Sequence, residues 1–153
     1  MNMKWKLLLA FSAMQYVASA CSCVEVSQKY ARAVAYAIFD GTVTDIRYFD
    51  NEKDREISSR VLVTFKIAKS WKGPAGSSIQ VHVMERALIC DSYKFELGRR
   101  YVVYAIQQDK ESGWADQYPA GTQILATGGC TLRIRENANA ESRRLGKPRV
   151  NSN

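Results

Sequence analysis

The sequence predicts an all-β domain: five strands closed into a small barrel, with a short helix before the first strand. Three observations carry this. Apolar residues alternate with polar ones at period two in several short runs rich in valine, isoleucine and aromatic residues. Glycine and proline clusters punctuate those runs. Four cysteines, an even set, all follow an N-terminal export signal.

Taken in chain order, helical character is confined to Val26–Ala35. The first strand is expected over Ala37–Phe49. Gly41 inside it marks a bulge or bend, as a strand serving two sides of a small barrel requires. In the second strand Val61, Val63, Phe65 and Ile67 alternate with Leu62, Thr64, Lys66 and Ala68, and the turn cluster 72–78 follows. In the third, Ile79, Val81 and Val83 alternate with Gln80, His82 and Met84. The run Tyr101–Ile106, preceded by Gly98, forms the fourth, and Gln123–Thr127, preceded by Gly121, the fifth. Five strands at this spacing suit a small barrel or a sandwich. Closure removes exposed edges, so a Greek-key oligonucleotide/oligosaccharide-binding (OB) barrel is the expected architecture. Its core is expected to contain Phe39, Val43, Val61, Val63, Phe65, Ile67, Val81, Val83, Tyr101 and Val103. Trp71 is expected to pack over one barrel end.

The chain has 153 residues and a formal charge of +7. Lys4 and Lys6, an apolar run from Leu7 to about Met14, and Ala18-Ser19-Ala20 form the three parts of a secretory signal over residues 1–20. The apolar run is short of the roughly 20 residues needed to span a bilayer. Cleavage after Ala20 removes two lysines and no acid, which lowers the charge to +5. One domain, residues 21–135, is expected to follow, secreted or periplasmic. The remainder, 136–153, carries Arg143, Arg144, Lys147 and Arg149 and few large apolar residues. It reads as a basic, disordered tail, although such a cluster can also bind nucleic acid, an anionic membrane surface or an acidic polymer.

Cys21, Cys23, Cys90 and Cys130 imply two disulfides in an exported domain. A Cys21–Cys23 ring would be strained, so long-range bridges to Cys90 and Cys130 are favoured, in either pairing. A metal site is disfavoured: there is no C-x-x-C, the only histidine is His82, and the compartment is oxidising.

No catalytic constellation stands out. A nucleophile–base pair would have to use His82, which alternates with core-facing Val81 and Val83 and so is expected on a wet outer face. Asp54 and Glu56, or Asp109 and Glu111, fall in loops as solvated hairpin tips. There is no G-x-G-x-x-G or P-loop. Trp114, with Tyr118 and Pro119 in the loop 107–121, is either a binding anchor or folded back on the barrel.

Together the ordered motifs resemble the N-terminal domain of the tissue inhibitors of metalloproteinases. They are Cys21-Ser22-Cys23-Val24; Phe39-x-Gly41-x-Val43; Phe65-x-Ile67-x-Lys69-x-Trp71-Lys72-Gly73; Cys90 followed by Phe95-x-x-Gly98-x-x-Tyr101 and Val102–Ala105; and Thr127 with Cys130-Thr131. The resemblance covers residues 21 to about 134. It implies an OB barrel and the pairings Cys21–Cys90 and Cys23–Cys130. It also implies chelation of a protease's catalytic zinc by the Cys21 amine and carbonyl, flanked by a contact ridge of Ser22, Cys23, Val24, Leu88, Ile89 and Cys90. The family's third inhibitory-domain bridge and its second, cysteine-rich domain have no counterpart here.

Three functions are therefore expected in order. The first is an exported, monomeric inhibitor of a zinc metalloproteinase, neither an enzyme nor a holder of its own metal or cofactor. The second is an exported OB module for a glycan, peptide or envelope component. The third is a lipoprotein lipidated at Cys21, the only case with a membrane partner. Ala18 stands where a leucine-like residue usually precedes a lipidated cysteine. Nucleic acid is not expected, because aromatics do not interleave with a basic groove.

Overall fold

The structure, a computed structural model, describes residues 23–49, 59–74, 76–85, 90–108, 123–130 and 132–149. Its elements are α1 (Gln28–Val34), β1 (Ala37–Tyr48), β2 (Ser59–Lys72), β3 (Ser78–Glu85), β4 (Arg100–Gln107), β5 (Leu125–Ala126), β6 (Ile134–Arg135) and α2 (Ala138–Leu145). Among the described residues no helix is long and apolar enough to cross a membrane.

The strands close. β1 pairs antiparallel with both β2 and β4, β2 with β3, and β4 with β5. β3 meets β5 in parallel at His82 and Ala126. The circular order β1-β2-β3-β5-β4-β1 is that of a five-stranded Greek-key OB barrel. The short strand β6, absent from the sequence reading, lies along the same β4 edge, Val102 opposite Arg135 and Val103 opposite Ile134. The fifth barrel strand is thus broken in two by the turn that carries Cys130.

Gly41 is the bend expected of it. The β1–β2 register shifts between Asp40 and Gly41, and Gly41 faces Ile67 on β2 and Tyr101 on β4. A Cβ there would lie 3.0 Å from the Lys66 carbonyl oxygen and 3.2 Å from Phe65 Cβ. Glycine lets the two strands approach this closely without crowding.

Nine of the ten expected core residues lie in the barrel interior; Ile67 is only partly buried, at its rim. Phe95, from the segment before β4, joins Phe39, Phe65 and Tyr101 in a chain of edge-to-face rings at 5.0–5.2 Å.

A second apolar layer lies outside the barrel. Ala31, Ala35, Ile38, Trp71, Val102, Tyr104, Ala138 and Leu145 pack between the β1–β4 face and the two helices. Strand β4 is therefore buried on both sides, which is why it reads as the unbroken run Tyr-Val-Val-Tyr-Ala rather than an alternation. Trp71 belongs to this outer layer and not to a barrel end. Its indole N–H donates to the Gly146 carbonyl at 2.9 Å, so the residue anchors the C-terminal segment.

That segment departs most from the sequence reading. The expected disordered tail is helical over Ala138–Leu145. Asn137 caps the helix by accepting from the Ala140 N–H, and Gly146 ends it with φ 79°. Arg143 and Arg144 sit in the last turn, where cations suit the helix dipole. Low hydrophobicity misled the reading because the buried face is small and partly ionic: Ala138, Leu145, Ser142 and Glu141. Beyond it, the Arg149 N–H donates to the Ser70 carbonyl at 2.7 Å.

Candidate functional site at the N-terminal segment

The Cys23–Cys130 bridge is present, joining residues 107 apart in sequence with Cα atoms 5.3 Å apart. Cys23 Sγ lies 3.4 Å from the Cys90 carbonyl oxygen. The fold thus brings Cys23, Cys90 and Cys130 to one place. Among the described residues no cysteine is free. Val24, next to the bridge, is 86% exposed. Cys21, Ser22, Leu88 and Ile89, with the expected Cys21–Cys90 bridge, lie outside the described residues, as do the 1–20 signal, Asp54, Glu56, Asp109, Glu111 and Trp114.

Asp91, which the sequence did not single out, organises this corner. Its carboxylate accepts from the Cys130 N–H at 2.8 Å and its carbonyl from the Gly129 N–H at 3.1 Å. A Cβ at Gly128 would run into that carboxylate. Two adjacent glycines before Cys130 were the available signal that another segment approaches closely there.

From Cys23 the chain runs to Ser27, whose hydroxyl caps α1 by accepting from the Tyr30 N–H. Between them, Arg133 is the main anchor. Its guanidinium donates to Glu141 Oε1 at 2.7 Å, to Glu25 Oε1 at 3.2 Å and to the Val26 carbonyl at 3.1 Å. Arg135 also pairs with Glu25. Glu141, on α2, accepts further from the Tyr104 hydroxyl at 2.9 Å and from Gln28 at 3.2 Å. Burial pushes the Glu141 carboxyl up, but the Arg133 and Tyr104 hydrogen bonds outweigh it and hold the group below the ordinary carboxylate value. Burial and the bond to Glu141 push the Tyr104 hydroxyl up to about 12. Sequence spacing had no means of finding this network, because its bonded partners are separated by up to 113 residues.

Asp40 and His82 are buried polar groups outside this network. Asp40, fully enclosed, takes both nitrogens of a bidentate Arg100 fork at 2.7 and 2.6 Å and a bond from Ser142 Oγ at 3.3 Å. His82 is not on a wet face; it is 2% exposed. It does point away from the barrel interior, but its opposite number Leu62 is buried as well, and its ring stacks on Phe49 with centroids 5.9 Å apart. Alternation reports which side of a strand a residue occupies, not whether another segment covers that side. Among the described residues no group of three or more His, Cys, Asp and Glu side chains could hold a metal.

The fold and this corner define a class: a disulfide-stapled OB-barrel domain whose N-terminal segment is pinned to the chain around Cys130 and Arg133. Comparison with protein-family models and with curated proteins gives no match for the chain.

Proposed function

We propose that this protein is an exported inhibitor of a zinc metalloproteinase, acting through the α-amine and carbonyl oxygen of Cys21 once residues 1–20 are removed. The observation that carries the reading is the Cys23–Cys130 bridge of an OB barrel lying against the Cys90 carbonyl. With Cys23 and Cys130 joined and no described cysteine free, Cys21 is the cysteine left for Cys90. A second bridge would hold the first mature residue before binding and lower the ordering cost.

The chemistry is coherent. A catalytic zinc keeps one position open for water. A neutral amine and its own carbonyl would displace that water and close a five-membered chelate ring through two donor atoms, taking the metal to five-coordinate. An unperturbed α-amine titrates near pH 7.7–8.0, so the metal displaces its proton. Ser22 would face the pocket for the residue after the scissile bond. The exposed Val24 would extend the contact with Leu88 and Ile89.

The test is inhibition of a panel of zinc endopeptidases by protein beginning at Cys21, beside the same protein extended by one alanine. The processed form should inhibit and the extended form should not, with unchanged thermal unfolding. Equal activity of the two forms refutes chelation.

A second reading, an exported OB binding module without inhibitory activity, has one observation in its favour. A cleft of about 230 Å³ between β2 and α2 is walled by Lys69, Trp71, Asn139 and Arg143. Two cations, an amide and an indole suit an acidic sugar. Absence of inhibition across the panel, with retention on an acidic glycan array, selects this reading.

A further inference from the structure

Arg133 is 7% exposed, and its guanidinium joins two separate segments of chain. Toward α2 it makes a two-nitrogen pair with Glu141, at 2.7 and 3.4 Å. Toward the N-terminal segment it holds the Glu25 carboxylate and the Val26 carbonyl. Among the described residues, no backbone N–H of 24–27 donates a hydrogen bond. Among the described residues, the segment between the Cys23 bridge and the Ser27 cap is held by the Arg133 guanidinium at Glu25 and Val26, by the Arg135–Glu25 pair and by Val26 packed on the outer apolar layer.

We infer that Arg133, itself locked by Glu141 of the C-terminal helix, is the positioning residue that sets the pose of the N-terminal segment against the Cys90 corner. This rests on the inhibitor reading for its functional consequence. A disulfide fixes the distance between two chains but leaves the flanking segment able to swivel about the Cα–Cβ and Cβ–Sγ bonds. The bond to the Val26 carbonyl and the pair with Glu25 remove that swivel. Cys21 is two residues before Cys23, within about 7 Å along an extended chain, so a tilt of 23–27 displaces the proposed ligand atoms. Sites of this kind need placement to within about 0.5 Å. Lysine cannot replace Arg133: a single ammonium cannot reach Glu141, Glu25 and the Val26 carbonyl in the planar fork that arginine supplies. The residues 136–149 thereby acquire a role at the other end of the chain.

The experiment uses processed full-length protein and three variants. Arg133→Lys keeps the charge opposite Glu141, Glu25→Gln touches only the segment link, and Lys29→Gln is an exposed control. Backbone order parameters of residues 24–27 are measured by ¹⁵N relaxation, with inhibition of the responsive protease beside them. The wild type should show rigid values near 0.85 over 24–27. Arg133→Lys should fall below about 0.6 there while β2 stays rigid, and inhibition should weaken about tenfold. Glu25→Gln should move both readouts in the same direction by a smaller factor, with Tm unchanged, and Lys29→Gln should move neither. Should Arg133→Lys fail to fold, Glu25→Gln read beside a further variant, Arg135→Gln, decides, because Arg135 is the other partner of Glu25: a segment loosened as much by Arg135→Gln as by Glu25→Gln overturns the role of Arg133. Order parameters unchanged over 24–27 overturn the positioning role. So does a mobile segment in a variant that inhibits as well as wild type. A mobile segment in the variants of a protein whose wild type inhibits nothing upholds the mechanical inference and removes the inhibitor reading.

Discussion

His82 is the sole histidine of the chain, so one imidazole signal reports the state of one buried site. Burial is the main cause of its low proton affinity, and the Arg47 guanidinium, 5.0 Å from the Phe49 ring on which His82 stacks, adds to it. The folded value is brought down from 6.5 to about 4. The unfolded chain takes up a proton near pH 6.5, while the folded one stays neutral until about pH 4. Stability is therefore complete above about pH 7, is lost as pH falls from 6.5 to 4, and changes little further from this group below that. A tenfold change in proton affinity is about 1.4 kcal/mol, so at pH 4 the loss is roughly 3 kcal/mol. That is a large share of the 5–15 kcal/mol typical of a domain. Urea unfolding at pH 7.5, 6, 5 and 4 should show the decline, and imidazole NMR of the folded protein should give a midpoint near 4. His82→Asn should be less stable at pH 7.5 and should lose about 3 kcal/mol less than wild type on acidification. Glu141, held below its ordinary value, contributes its own loss only below about pH 4.5. An imidazole titrating near 6.5 in the folded protein, or identical pH slopes for wild type and His82→Asn, refutes the reasoning.

Arg100→Met should cost about 3 kcal/mol in urea unfolding, since it leaves a fully buried Asp40 carboxylate with only Ser142; the Arg100 side chain is 40% exposed, which keeps the figure at the lower end. Two glycine substitutions should separate crowding from backbone strain. Gly41→Ala meets backbone and Phe65 at 3.0–3.2 Å and should cost about 1–3 kcal/mol, whereas Gly98→Ala meets nothing within 4 Å but has φ 78° and should cost about 1 kcal/mol, both read as shifts in denaturant midpoint. Cys23→Ser with Cys130→Ser opens a loop of 107 residues; loop-closure entropy puts the loss at roughly 5 kcal/mol, measurable as a fall in Tm that reductant no longer deepens through this bridge.

The barrel was legible because its information is local. Period-two alternation in Val61–Ile67 and Ile79–Val83 follows from the strand geometry itself, and those residues do line the interior. Gly41 announced the bend, since a larger residue would be crowded by Lys66 and Phe65. The capping residues of α2, Asn137 and Gly146, were equally local signals. They were passed over because the segment between them offers little apolar surface, and a helix of eight residues does not stand on capping alone.

What tertiary structure decided is where outward-facing residues end up. The same alternation assigns His82 and Thr64 to one side of the barrel, yet His82 is buried and Thr64 half-exposed, because coverage depends on which distant segment arrives. Trp71 met the C-terminal segment, 75 residues away, rather than a barrel end. Glu141 looked like a solvated charge on a basic tail. It became the buried partner of Arg133 and Tyr104, because ions leave water only where a complete set of donors awaits them. Such a set is assembled by the closed barrel from separated pieces of chain, and no window along the sequence contains it.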